Sequence, residues 1–234
     1  TLSLASLDNS KLNEFLFLKP AKGVVTEAFV LQKNRKVIAQ KFESGSSKTR
    51  HLLWSMTKSF ASLIFGVAES KGYINREDSI YKYFKKEIDI QGKKRIKDLS
   101  KIKLKHLLSM SSGLAWNEFY EEDPFNSHVV RMLYFSSKKS VANYILKTPV
   151  KFKPGTRFNY SSGDSNLIAG ALKKALPKNL HNSYPWDFLF DPLEMNAIYE
   201  QDKEGTFLGS SYLYLTTQDL LKFGQFILDK GVYK

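Results

Sequence analysis

The sequence predicts an α+β fold, in which a small antiparallel sheet is flanked by helices and carries a large, mostly helical region. Two stretches with strand-forming residues, 26–32 and 36–42, surround a short turn at 33–35 and predict a β-hairpin. An apolar run over 54–71 has helical spacing and ends at Gly72. Residues 75–197 are mostly helical in pattern, with proline and glycine interrupting them.

The pattern divides the chain into three segments. Residues 1–74 predict the first part of an α/β domain with the apolar helix, and residues 75–200 predict a mostly helical domain. Residues 201–234 predict a return to the α/β domain, through a strand-like piece and a helix capped by Thr217. A short helix is also predicted over 9–18. Because an isolated hairpin is marginal in water, we expect the sheet to be completed either by strands beyond residue 234 or by strands from another chain.

The composition indicates a globular and strongly basic protein. The 234 residues are 42% hydrophobic and carry a formal net charge of +13, and 30 of the 36 basic residues are lysines. The densest basic cluster, 91–106, has no interleaved aromatic residues, and no nucleic-acid-binding motif is present in the sequence. We therefore predict no nucleic-acid partner, and interpret the lysines as a solvated surface.

Several classes of site are excluded by what the sequence lacks. The absence of cysteine excludes disulfides, thiolate metal sites and cysteine nucleophiles. The longest apolar stretches, such as 61–68, are too short to span a bilayer, so we predict no integral membrane segment. The four histidines show no metal-ligand spacing, and no Gly-x-Ser-x-Gly elbow is present. We expect neither a metal nor an organic cofactor.

The stretch LLWSMTKSF places Ser55 three residues before Lys58, at the head of the apolar helix. The lysine can reach back to the serine hydroxyl, because residues three apart share a helix face. If burial lowers its pKa, Lys58 can accept the proton of Ser55 and make the serine a nucleophile. The alternative is that Ser55 caps the helix while Lys58 extends to solvent. Three further Ser-x-x-Lys pairs lie in polar surroundings and begin at Ser79, Ser100 and Ser136.

A second stretch, FKPGTRFNYSSGDSNLIAGAL, carries Tyr160 in a polar loop before an apolar helix that is predicted to begin at about Asn166. A tyrosine in such a loop could reach a neighbouring site, where an ammonium group would lower its pKa and let it exchange a proton. The alternative is a core tyrosine in a glycine-bounded turn.

Four segments, taken together, resemble the serine β-lactamase and penicillin-binding-protein superfamily. The resemblance is greatest to its β-lactamase-related hydrolases, which include class C-like enzymes, esterases, D-amino-acid peptidases and 6-aminohexanoate-dimer hydrolases. It runs from about residue 28 to residue 231. The segments are WSMTKSFASLIFGVAESKGYI, KIKLKHLLSMSSGLAW, PGTRFNYSSGDSNLIAGAL and GSSYLYLTTQDLLKFGQFILDKG.

This resemblance implies a β-lactamase/transpeptidase-like fold and assigns roles to individual residues. Because the family's sheet continues after the last helix, the resemblance also implies that the C-terminal sheet strands are missing from this chain. Ser55 matches the acylated nucleophile, Lys58 its partner base, and Tyr160 the tyrosine that shares proton transfer with the lysine. Ser162 is a candidate substrate-binding residue and stands where the family commonly has asparagine, which fits the esterase and aminohexanoate-amidase branch at least as well as a β-lactamase. Trp116 is a second candidate for substrate binding, with a core position as the alternative.

The resemblance implies a serine hydrolase that forms an acyl-enzyme on a small-molecule or peptide-like ester or amide. The alternative is a non-hydrolytic binding protein, or a penicillin-recognising sensor, that retains the fold. The family's third motif, Lys-Thr-Gly or His-x-Gly, is absent from the sequence, which favours this alternative for the chain as given. Family members are often exported, so we expect a periplasmic or extracytoplasmic location, with the cytoplasm as the alternative. The sequence makes no prediction of oligomeric state or substrate identity.

Overall fold

The computed structural model describes residues 10–11, 14, 23–43, 47–121, 123–136 and 140–232. It has a mixed α/β architecture with small antiparallel sheets, so the predicted α+β fold is confirmed. The chain forms two compact units. The first comprises Thr1–His51, Leu193–Asn196 and Leu215–Lys234, and the second comprises Leu52–Pro192 and Ala197–Tyr214. The three-segment division drawn from the sequence stays a prediction, and the helix predicted over 9–18 falls, apart from isolated residues, outside the described ranges.

Helices predominate among the described elements, and the strands are short. Short 3₁₀- or π-helical segments occupy Trp54–Met56, Pro124–Asn126, Arg131–Ser136, Lys178–Leu180 and Trp186–Phe190. The strands and α-helices, in chain order, are β1 (Ala28–Lys33), β2 (Lys36–Phe42), β3 (Arg50–Leu52), α1 (Thr57–Ser70), α2 (Ile80–Asp89), α3 (Lys93–Leu99), α4 (Leu104–Leu108), α5 (His128–Val130), α6 (Val141–Ile145), α7 (Ser162–Ala175), β4 (Ile198–Tyr199), β5 (Leu213–Thr216) and α8 (Thr217–Leu228).

The first unit contains the hairpin that the sequence predicts. Strands β1 and β2 pair antiparallel, with a shift in register between Leu31 and Gln32. The two turn residues, Asn34 and Arg35, both have positive φ angles of 49° and 62°, which suit the right-handed twist of a tight hairpin. Helix α8 packs against β1 and covers the hairpin.

The N-cap of α8 differs from the prediction by one residue. Thr216, not Thr217, is the N-cap, and its side chain accepts a hydrogen bond from Asp219 N over 3.1 Å. Asp219 Oδ2 in turn accepts a bond from Thr216 Oγ1 at 2.7 Å. Two consecutive threonines both fit an N-cap, and the aspartate three residues after Thr216 completes a reciprocal capping box that decides between them.

The second unit is built around α7, which is buried on all sides. Every residue from Ser162 to Leu172 is buried, and the helix contacts α1, α2, α4 and α6. Gly170 lets α2 approach, because a Cβ there would lie 3.0 Å from the ring of Phe84. A helix that other elements surround requires apolar or small residues on every face, and the sequence SGDSNLIAGAL supplies them.

Helix α1 is the main partner of α7 and presents an apolar face at helical spacing. Its buried apolar residues recur every three to four positions, as expected for a core helix. They are Phe60, Ala61, Ile64, Phe65 and Ala68. The predicted helix over 54–71 is therefore confirmed in its body, but its first turn, Trp54–Met56, is a 3₁₀ segment.

A second sheet has the strand order β3-β5-β4. Within the second unit, Ile198 pairs with Tyr214 and Tyr199 with Leu213 in antiparallel register. Within the described part of the chain, no helix combines the length and the apolar character that crossing a bilayer requires.

Candidate active site

Ser55 lies on an exposed 3₁₀ turn immediately before α1. Leu53 N donates to Leu213 O at 2.9 Å and so ties the start of this turn to β5. The N-cap position of α1 belongs to Met56, and no side chain caps the helix. The hydroxyl of Ser55 is therefore not used as a helix cap and is available for chemistry.

Lys58 points back to the serine. Its Nζ donates to Ser55 Oγ at 2.9 Å and to the carbonyl oxygen of Ser210 at 3.1 Å. Burial lowers the pKa of Lys58 from 10.5 to about 8, and the nearby carboxylate of Glu118 opposes this by raising it. A lysine with such a pKa is partly neutral near physiological pH, so it can accept a proton from the serine hydroxyl that it contacts.

Tyr160 is brought to the same place. The Nζ of Lys58 lies 5.1 Å from the centroid of its ring, and 41% of the tyrosine is exposed. The residue stands just before α7, which begins at Ser162 rather than at the predicted Asn166. The earlier start follows from Ser161, whose side chain accepts a hydrogen bond from Asp164 N at 2.9 Å and caps the helix. Ser55, Lys58 and Tyr160 thus form one cluster.

Glu118 holds two predicted site residues together. Its Oε2 accepts a hydrogen bond from Ser162 N at 3.0 Å and another from Trp116 Nε1, and its Oε1 accepts one from Ser162 Oγ. Trp116 is only two residues from Glu118 in the chain, but Ser162 is 44 residues away, so the contact with Ser162 had no local signal.

Trp116 lies behind the site. It is 5% exposed, and its ring packs so closely on Gly163 that a Cβ there would lie 2.8 Å from it. A main-chain contact reinforces the position, because Asn159 Nδ2 donates to Trp116 O at 3.0 Å. These contacts place Trp116 behind the wall of the site, where it supports the wall. A direct part of Trp116 in substrate binding stays a prediction.

A cavity of about 530 Å³ opens beside Ser55 within the second unit. Its size suits a small-molecule substrate. Its polar lining includes Ser55, Glu118 and Ser162. The remaining large lining residues are mostly apolar or aromatic: Trp54, Val129, Val130, Leu133, Tyr134 and Tyr120.

The carbonyl that anchors Lys58 is itself fixed by α7. Asn166 Nδ2 donates to Ser210 Oγ at 2.9 Å, and Ser210 N donates to Asn166 Oδ1 at 3.3 Å. Gly209 allows this approach, because a Cβ there would lie 2.5 Å from the carbonyl oxygen of Ser165. From the sequence, Asn166 was expected only as the start of a helix, and Ser210 was present only in the GSS that opens the fourth segment.

The second and third segments of the family resemblance are joined by hydrogen bonds, one of which is buried. Ser112 Oγ donates to Asp164 Oδ1 at 2.8 Å, and Asn159 N donates to Met110 O at 2.8 Å. Burial raises the pKa of Asp164 to about 7, although the bonds from Ser112 and Ser161 lower it. The tyrosine loop is therefore held in place by the SSGL segment.

His106 is part of this support. Its Nδ1 accepts a hydrogen bond from Lys103 N at 3.1 Å, and burial lowers its pKa. A Cβ at Gly155 would lie 3.2 Å from its ring, so the Pro-Gly turn packs directly on the histidine. This agrees with a structural position rather than a base. In the described ranges, no group of three or more His, Asp or Glu side chains is arranged to hold a metal ion.

Solved structures with the same fold come from several kinds of protein. A candidate 6-aminohexanoate-dimer hydrolase from Bacillus anthracis superposes with a TM-score of 0.71 at 19% identity, over 89% of this chain and 55% of its own. An octameric penicillin-binding protein homologue from Pyrococcus abyssi gives 0.64 at 19% identity, over 88% and 53%. A D-stereospecific amidohydrolase from Streptomyces sp. gives 0.55 at 20% identity, over 81% and 63%. The chain thus spans little more than half of the first of these proteins.

Comparison with curated protein sequences finds no match. The sequence profile of the Beta-lactamase family, by contrast, matches residues 21–232. This match covers all four segments on which the resemblance was based, including the clustered serine, lysine and tyrosine. The chain therefore belongs to the Beta-lactamase family.

Proposed function

We propose that this chain carries the nucleophilic centre of a serine hydrolase that forms an acyl-enzyme on an ester or amide. Family membership supports a serine-hydrolase type of function in general. The observation that carries the finer proposal is the 2.9 Å hydrogen bond from Lys58 Nζ to Ser55 Oγ, on a lysine whose pKa is lowered to about 8. A serine needs an adjacent base to become a strong nucleophile, and this pair meets that requirement.

In the first proposed step, Ser55 Oγ attacks the substrate carbonyl carbon while its proton passes to neutral Lys58. The carbonyl oxygen becomes an oxyanion, which the positive N-terminal end of the 14-residue helix α1 stabilises. The bond to the leaving alcohol or amine then breaks, and the leaving group takes up a proton from Lys58 or through Tyr160. This leaves an acyl group on Ser55 and a neutral lysine.

In the second proposed step, water attacks the acyl carbon and gives its proton to the same pair. The ester bond to Ser55 breaks, the serine recovers a proton, and the acid product leaves. Glu118 contributes by holding Ser162 in the cavity wall and Trp116 behind it, and the carbonyl of Ser210 contributes by holding Lys58.

The direct test exposes the protein to a fluorophosphonate and measures its intact mass. A phosphonyl adduct is expected on the wild type and not on Ser55→Ala. Ser62→Ala is the matched control, because this serine lies on the same α1 helix and bonds only locally to Ser59 O. An adduct that persists in Ser55→Ala, or a wild-type protein that never reacts, contradicts the proposal.

Intact-mass measurement with an ester substrate separates hydrolysis from the sensor-like alternative. An ester substrate should produce turnover, with an acyl-enzyme that appears and decays. A stoichiometric acyl adduct that does not decay would instead favour a protein that captures acyl groups without releasing them, the alternative to which the absence of the third motif points.

A further inference from the structure

We propose that Trp54 and Tyr134 form an aromatic wall that selects substrates with a flat, uncharged aromatic group next to the scissile carbonyl. The inference rests on the proposed function and extends it to a substrate class. Both side chains line the cavity beside Ser55, and 51% of Trp54 and 60% of Tyr134 is exposed. Two large aromatic rings that lie open beside a nucleophile offer a contact surface for a substrate ring.

The rest of the cavity lining suits the same kind of group. Val129, Val130 and Leu133 add an apolar surface from α5 and the following π-helical segment. Among the described lining residues there is no lysine or arginine, and Glu118 supplies the one carboxylate. An anionic substituent would therefore meet a like charge, whereas an uncharged ring would bury apolar surface.

Tyr212 ties the two sides of this wall together. Its ring lies 5.9 Å from that of Trp54 at a tilt of 48°, and burial together with the neighbouring hydroxyl of Tyr134 raises the pKa of Tyr212. One side chain thus lies beside both exposed rings. A pre-oriented wall binds a flat group at a lower entropic cost than two freely rotating side chains.

The backbone is strained at both ends of the Trp54–Tyr212 contact. Seven non-glycine residues in the described ranges have positive φ, and the two aromatic ones are Trp54 at 45° and Tyr212 at 62°. The left-handed region is unfavourable for bulky side chains, and it persists where the surroundings enforce it, often at functional sites. That these two strained residues contact each other beside Ser55 assigns the contact to the site.

The test compares two phosphonofluoridates that differ only in one substituent, benzyl or cyclohexylmethyl. In each reaction the Ser55 Oγ–P bond forms, the P–F bond breaks, fluoride leaves and the serine proton passes to Lys58. The two rings are similar in size, but only the benzyl ring is flat and aromatic. We expect the wild type to react roughly fivefold faster with the benzyl probe, the size expected of one aromatic contact.

Substitution of the wall should remove this preference. In Trp54→Leu the ratio of the two rates is expected to fall towards one. If this variant folds poorly, Tyr134→Leu, which removes the other ring of the wall, should lower the same ratio. The matched control is Phe125→Leu, because Phe125 and Phe135 form a similar pair at 5.9 Å and 40° and do not line the cavity. Its ratio should equal that of the wild type.

The outcomes distinguish the two proposals. Equal rates with both probes in the wild type, or an unchanged ratio in both wall variants, overturns the aromatic wall and leaves the serine hydrolase standing. A wild-type protein that reacts with neither probe overturns the serine hydrolase, and the wall with it. The use of a ratio removes any general effect of Trp54 on its neighbour Ser55.

Discussion

In the proposed mechanism, the protonation state of Lys58 controls whether Ser55 can act as a nucleophile. The lysine is half-buried and held by Ser55 Oγ and Ser210 O, and burial lowers its pKa to about 8. Only the neutral amine accepts a proton, so the rate of phosphonylation should rise with pH and reach half its plateau near pH 8. An unburied lysine would place this midpoint near 10.5. The measurement is the rate constant between pH 6 and 10.

Substitution of Glu118 should also shift the pH at which the rate of phosphonylation reaches half its plateau. Its carboxylate raises the pKa of Lys58, so Glu118→Gln should shift the midpoint to lower pH. Glu121→Gln is the matched control, since this glutamate lies on the same segment and is exposed. A flat profile in the wild type would remove Lys58 as the base. A midpoint that Glu118→Gln leaves in place would show that its charge does not reach the lysine.

The roles of the ring and of the hydroxyl of Tyr160 can be tested separately. The centroid of the ring lies 5.1 Å from Lys58 Nζ, and Tyr160→Phe keeps the ring while it removes the hydroxyl that is proposed to transfer the proton. We expect a loss of roughly 10²–10⁴-fold in the steady-state rate of ester hydrolysis, as is typical of a general acid or base. Phe158→Leu, at an exposed position two residues earlier, should cause little change. A Tyr160→Phe variant with full activity would leave only the ring contact as the residue's role.

At the scale of elements, the N-terminal turn of α7 contains a carboxyl group with unusual surroundings. Asp164 is fully buried, its Oδ1 accepts bonds from Ser112 and Ser161, and its Oδ2 has no hydrogen-bond partner among the described residues. Burial raises its pKa from 3.8 to about 7. Because the folded state binds this proton more tightly than the unfolded state, its contribution to stability is complete below about pH 4 and is lost as the pH rises through about 7.

Asp164→Asn should therefore stabilise the protein at pH 8 relative to the wild type, and flatten the dependence of its stability on pH. The amide can accept the same bonds and carries no charge, and a shift of one pKa unit corresponds to about 1.4 kcal/mol. We expect a gain of at least about 1 kcal/mol in urea unfolding at pH 8, and a much smaller one at pH 5. The exposed Asp187, which bonds to Ser183 Oγ, supplies Asp187→Asn as the control. A loss of stability at pH 8 would contradict this account.

The elements that the sequence predicted well are those with local signals. The hairpin follows from two short runs with strand-forming residues around a turn, and α1 follows from its apolar spacing. The start of α7 was missed because Ser161 and Asp164, which form its cap, lie in a polar run that resembles a loop. In the 3₁₀ turn that carries Ser55, Trp54 contacts Tyr212, a residue distant in the chain, and no local pattern could indicate this contact.

The same distinction applies to the candidate site. Ser55 and Lys58 share one helical turn, so their hydrogen bond could be predicted from spacing alone. The position of Tyr160 needed the family resemblance. The supporting contacts, Glu118 with Ser162 and Asn166 with Ser210, each join residues 44 positions apart, and only the folded chain brings them together.

At the scale of the whole molecule, the match over residues 21–232 agrees with the four segments that resemble the family. The high charge of +13 has a different origin from the site chemistry. Lysines pair with carboxylates along exposed helix faces, as in Lys82–Asp78 and Lys85–Asp89, both four residues apart. Such exposed pairs contribute little to stability. We therefore attribute the net charge to the solvated surface, whereas the lowered pKa of Lys58 results from burial within the second unit.

The central position of α7 has a consequence for insertions and deletions. Ser162 at its first turn bonds to Glu118 in the cavity wall, and Asn166, one turn later on the same face, bonds to the loop that anchors Lys58. One residue inserted between them would rotate one against the other by about 100°. The cavity wall and the lysine anchor could not then both keep their partners. This turn should accept some substitutions, but its length is fixed by the site.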